Sequence, residues 1–246
     1  MEYLARVNPK YFAAIHQCAA KGDVRYYLNA VQIERHPKGG VLIVATNGHF
    51  MGVIHDPDGW IADGRESVLI GTVSKRLLSA CSVRTGADGR SPSKLWIAEK
   101  FSLVSSLEET GEEPEMFGFN SHLTEKTELI DGLFPNWKRV IPTKRRTEVE
   151  PFPCINGEYL EVFNKVGVLL TGIKRFGGAG MRIEPSAGDG GVIVRFNDNE
   201  LLDRFFGVVM PMASEPLPGL LPDWAAHEAE AAKAAEAKAD KAAKAA

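Results

Sequence analysis

A repeat constrains this chain more than any other feature. Three times, at a spacing of about 70 residues, a short helix signal is followed by several strand-like runs broken by Gly, Pro, Asn and Asp. The first helix signal opens at Asn8-Pro9, a capping residue with proline at the first helical position. It runs through KYFAAIHQCAA, with Phe12, Ile15 and Ala19 on one stripe. The second is TVSKRLLSACSV, with Thr72 as cap and Leu77, Leu78 and Cys81 turned inward. The third is NGEYLEVFNKVGVLL, with Tyr159, Leu160, Phe163 and Val166 at helical spacing. RYYLNAVQIER, GGVLIVATNG and FMGVIHD follow the first helix. SKLWIAE, KFSLVSSLEE and a stretch ending KRVIP follow the second, and GMRIEPS, GVIVRFND and FFGVVMPM the third. A single helix before each set of strands predicts an α+β fold with helices covering one face of antiparallel sheets.

The 246 residues are 44% hydrophobic and 25% charged, enough to bury one or two cores. No apolar run approaches the roughly 20 residues that span a bilayer, and no secretory leader pattern stands at the start, so a cytoplasmic protein is expected with no membrane partner. Cys18, Cys81 and Cys154 are too few and too scattered for a disulfide framework or a CxxC metal site. From Ala225 the chain becomes AAHEAEAAKAAEAKADKAAKAA, a helix-favouring composition without a face to bury, preceded by the Pro-rich SEPLPGLLPDW.

Four ordered blocks carry a resemblance: DVRYYLNAVQIE, VATNGHFM, LIDGLFPNWKRVIP and VVMPM. Together they resemble the bacterial DNA polymerase III β subunit, the sliding clamp. The family pattern is a Tyr-Leu-Asn-Gly strand, an ATDGHRL turn, an FPDYRRVIP connector and an MPM ending. This chain departs from it with Ala30 for glycine, Asn47 for aspartate and Phe50 for arginine, and it continues beyond Met212.

The resemblance implies the processivity fold, with residues 1–142 as a complete clamp domain of two half-modules (about 1–62 and 66–142). A basic connector (143–149), a third half-module (150–213) and a Pro-rich connector with a flexible tail (214–246) follow. It implies a ring-shaped processivity factor around double-stranded DNA, loaded by a clamp loader and tethering polymerase and other replication proteins by short peptides. The family's ring contains twelve half-modules, so three per chain implies a homotetramer.

Carried over position by position, the partner-peptide pocket comprises Leu28, Thr46, Gly48, His49, Met51, Pro135, Arg139, Val140, Val208, Met210, Pro211 and Met212. DNA would be faced by Lys10, Lys21, Lys75, Arg76, Arg84, Lys174 and Arg175, contacting phosphates and not base edges. The third helix is the least suited to this, with Glu158 and Glu161 against Lys165.

No catalysis, cofactor or metal is expected. His16, His36, His49, His55 and His122 lie in different segments without HxH or HExxH spacing. His49 is expected to shape a turn beside the positive-φ Asn47-Gly48 of a hairpin. The acidic loop with Asp56, Asp58, Asp63 and Glu66 would be the metal site of an enzyme, and KRFGGAG lacks the GxxxxGK[ST] order of a phosphate loop. The rival from the same resemblance is a clamp-like interaction module or inhibitor that binds replication peptides without encircling DNA.

Overall fold

In the computed structural model the described residues are 2–71, 73–82, 92–106, 113–114, 121–143, 153–172, 180–187 and 190–213. Met1–Met212 form one compact unit. The residues given above to a flexible tail, 214–246, lie outside the described residues, as does most of the basic connector.

The first helix-plus-strands unit contains β1 (Tyr3–Val7), α1 (Pro9–His16), β2 (Val31–Arg35), β3 (Val41–Thr46), β4 (Phe50–Asp56) and β5 (Trp60–Ile61). The second contains β6 (Ser67–Gly71), α2 (Lys75–Ser82), β7 (Lys94–Ala98), β8 (Phe101–Ser105), β9 (Ser121–Lys126) and β10 (Glu128–Leu129). The third has α3 (Gly157–Thr171), β11 (Met181–Pro185), β12 (Val192–Phe196) and β13 (Phe205–Val209).

Local chemistry starts each helix. The Asn8 side chain accepts from the amides of Lys10 and Tyr11, with Pro9 in the first turn, and Asn156 accepts from Glu158 in the same way. At α2 the hydroxyl of Ser74 accepts from the Leu77 amide at 3.0 Å. The cap thus sits at Ser74, two residues past the expected Thr72, which is outside the described residues. Gly172, with φ of 69°, ends α3 in the left-handed conformation.

Two sheets result, in the orders β5-β1-β7-β8-β9 and β10-β6-β2-β3-β4-β13-β12-β11, all pairs antiparallel. The first two units exchange their leading strands: β1 pairs with β7 of the second unit, and β6 with β2 of the first. Position for position the first sheet repeats the first five strands of the second. To that half the third unit is joined by β13 against β4.

The helices form one layer, α1 packing against both α2 and α3, with the principal core between that layer and both sheets. Phe12 and Ile15 of α1, Leu77 of α2 and Phe163 and Val166 of α3 meet Ile33, Ile43, Ile54, Leu95, Val194 and Phe205 there. Strand alternation sends the other side chains outward. Val44, Met51, Val53 and Val208 form a second cluster on the far side of the eight-stranded sheet with Phe134 and Trp137.

Two local expectations change. Tyr26–Asn29 is a 3-10 turn and not the start of a strand. KRVIP falls in another 3-10 turn, Trp137–Val140, so the third long strand of the second unit is β9. Pro135 leads into the latter turn, its carbonyl accepting from Trp137 N at 2.7 Å.

Candidate peptide pocket and helix face

The pocket is built on the outer face of the sheet, where β3, β4 and β13 run side by side. Val208 is the register partner of Met51, and Met51 of Thr46, so three consecutive strands present one row of side chains. The β3–β4 hairpin closes one end. Gly48 takes φ of 91°, a backbone that favours glycine. Asn47 Oδ1 accepts from the amides of His49 and Phe50 at 2.9 and 3.0 Å. Thr46 Oγ1 accepts from Gly48 N and donates to Phe50 O. The hairpin is also held to the third unit: Met210 N donates to His49 O at 2.8 Å, and the His49 ring stacks on Tyr159 of α3 at 6.0 Å.

The connector between the second and third units supplies the opposite wall. Trp137 is buried, its indole donating to Glu34 Oε2 at 3.2 Å, while Lys138 Nζ lies 2.8 Å from the other Glu34 oxygen. A single carboxylate on β2 thus anchors two adjacent connector residues. Beyond Trp137 lies a second open cavity of about 580 Å³, bordered by His36, His55 and Ile193.

The partly open cavity has a volume of about 280 Å³. It brings together nine of the twelve expected residues: Leu28, Thr46, Gly48, His49, Met51, Pro135, Val140, Val208 and Met210. Arg139 instead lines an adjoining cavity, which shares Val140 and Met210. Pro211 and Met212 line neither: Met212 bridges to Cys154, its amide donating to the Cys154 carbonyl at 2.8 Å. Four lining residues escaped the sequence reading: Arg25, Tyr27, Asn136 and Trp137; Phe50 was singled out only as a departure from the family pattern. All lie inside the quoted blocks, and a tryptophan in a Pro-rich connector was the readable signal.

Electrostatics at the rim are settled locally. Arg25 is bidentate to Asp23, with Nη2 at 2.8 Å, and this bonding holds the Asp23 carboxyl down at about 2. Thr46, His49 and Asn136 add polar groups to walls that are otherwise mainly apolar, and Val140 and Met210 remain exposed at the mouth. Such a site can take up apolar side chains, and methionine adapts to their shape.

On the helix layer, Lys75, Arg76 and the following-turn residue Lys21 are exposed, and Lys10 is half-buried. Arg76 Nη1 lies 3.4 Å from Glu125 of β9, and Lys165 of α3 is paired with Glu161 at 2.7 Å. Arg84, Lys174 and Arg175 lie outside the described residues. The acidic loop does not converge: Asp56 is buried and accepts from the Asn8 amide at 2.6 Å, burial raising its pKa. Among the described residues no three His, Cys, Asp or Glu side chains come together as metal ligands. No described helix is long and apolar enough to cross a membrane.

Solved structures share this architecture. The DNA polymerase sliding clamp of Pseudomonas aeruginosa superposes with a TM-score of 0.52 at 16% identity, over 86% of this chain and 66% of that one. The polymerase III β subunit of Borrelia burgdorferi gives 0.52 at 15% identity, over 87% and 64%. The sliding clamp of Bartonella birtlesii, bound to griselimycin, gives 0.57 at 16% identity, over 87% and 67%. The fold is that of the bacterial sliding clamps. The chain spans about two thirds of the length of these clamps. No family model matches the sequence, and no curated protein does.

Proposed function

We propose that the chain is a DNA processivity clamp: a ring of copies around duplex DNA that tethers replication proteins by short apolar peptides, without catalysis, cofactor or metal. The observation that carries this reading is the convergence of nine separately placed residues, from both ends of the compact unit, on one apolar cavity in a clamp fold. The helix layer would line the hole and present Lys10, Lys21, Lys75 and Arg76 to phosphates, a weak and sequence-independent attraction that leaves the ring free to slide. The pocket, on the other face of the sheet, would hold a partner without obstructing the DNA.

With three units per chain, a twelve-unit ring takes four copies. Its cytoplasmic setting and its dependence on a loader belong to the same proposal. Light scattering coupled to size exclusion should give a mass near four chains, and the assembly should remain on nicked circular duplex in salt while running off the linearised form. Equal loss from both would leave the non-encircling peptide-binding module in its place.

A further inference from the structure

Among the described residues, the third unit shows neither half of the strand exchange that completes the other two. In the first unit the leading strand β1 pairs with its own unit's β5 and, on its other side, with β7 of the second unit. In the second, β6 likewise pairs with its own β10 and with β2 of the first unit. The segment leading into α3 follows the first part of this pattern, since Cys154 bridges to Met212 just beyond β13 as Arg6 and Ala5 pair with β5 just beyond β4. The second part has no counterpart: among the described residues no strand pairs with the other side of 153–155, and β11 pairs with β12 alone.

We infer that the third unit is completed by the third unit of a second copy across a two-fold axis, 153–155 of each chain pairing with β11 of the other. Donor and acceptor edges lie in the same unit, and such a unit is self-complementary: residue i meets residue j of its neighbour while j meets i. An unpaired strand edge is a standing template for another chain, and here the sequence that fits it is the protein's own. The helices agree. In the first two units α1 packs against α2. On α3, Leu160 and Val168, two turns apart with Asn164 between them, are only partly buried and join none of the core clusters, leaving two apolar side chains where the equivalent helix of the second copy would lie. The inference concerns how copies join, and stands whether or not the assembly encircles DNA.

The register follows from the helix caps. Asn8 and Asn156 cap their helices alike, so Ile155 takes the place of Val7, and Cys154 that of Arg6. Val7 pairs with Leu95, the first core-facing residue of β7, and Arg6 with Trp96. Met181 is the first core-facing residue of β11, which sets Cys154 opposite Arg182 of the second copy. Opposed Cα atoms in an antiparallel pair lie about 4.5–5.5 Å apart, within disulfide reach.

The test is the full-length Arg182→Cys variant treated with diamide, which takes up the two thiol hydrogens as the disulfide forms. Cys18 and Cys81 are buried and Cys154 is exposed, so the native partner thiol is the accessible one. A covalent species of two chains, absent when Cys154→Ser is added, supports the inference; Glu184→Cys tests the same pairing shifted by two residues. Failure of both variants to cross-link in folded, associated protein overturns it, as does a ladder of three, four and more chains, the mark of head-to-tail joining. Independently, Val168→Asp should halve the mass in solution with the circular dichroism unchanged, and a retained full mass overturns the inference.

Discussion

Val208 stands directly opposite Met51 across the β4–β13 ladder, and that one pair belongs both to the seam joining the third unit to the first and to the floor of the pocket. Binding of the proposed peptide would therefore be coupled to sheet continuity. A change that splays the seam should reach the pocket before it reaches the rest of the core.

The adjacent pair tests the seam. Gly207 is the partner of Gly52, and a Cβ on Gly207 would fall 2.2 Å from Cε1 of the Phe163 ring. Gly207→Ala forces the buried ring to move, at a cost of about 1–3 kcal/mol. Thermal unfolding should drop by several degrees, and a lowered peptide affinity should accompany it.

Met210 tests the pocket. It is exposed at the mouth, so a charge there should leave folding intact. Met210→Glu is expected to weaken binding of a fluorescein-labelled Leu/Phe-containing pentapeptide by at least about tenfold, since a carboxylate would have to be desolvated against apolar side chains. Unchanged anisotropy titrations would remove the pocket assignment.

Glu34 lies outside the cavity yet ties down its wall through Trp137 and Lys138. Glu34→Ala should raise the peptide Kd about threefold to tenfold by loosening the connector. The double change Glu34→Ala/Lys138→Ala should add little, because both remove one anchorage.

His16 gives the fold a pH dependence. Burial, helped by the nearby charge of Lys21, lowers its pKa to about 4 from the ordinary 6.5. Between those values the unfolded chain holds a proton that the folded chain refuses, so stability is complete above about pH 6.5 and falls as the pH drops towards 4. The loss reaches at most about 3 kcal/mol. His16→Gln should flatten this part of the profile, read as the difference in melting temperature between variant and parent at pH 7 and pH 4.5.

Much of this was readable in the sequence because it is locally encoded. Asn8-Pro9 and Asn156 mark helix starts that depend only on their own side chains, and the alternating runs of β3, β4 and β13 sort themselves into inward and outward rows. Tyr26–Asn29 misled because aromatic residues favour strands, whereas here Leu28 is buried as part of the pocket lining and Asn29 bonds back to Asp23. The polar SHLTEK of β9 offered no apolar period to detect. The pairing of β4 with β13 joins residues some 150 positions apart, and no local pattern carries that information.

The open edge of β11 bears on direction. A two-fold that joins neighbours in a closed ring lies across the hole and interchanges the ring's two rims. If third units pair as inferred and four copies close the proposed ring around DNA, the assembly would have no front or back, and two of its four pockets would open towards each end of the DNA. A polymerase approaching from either side would find a vacant docking point ahead of it, and loading in either orientation would yield the same object.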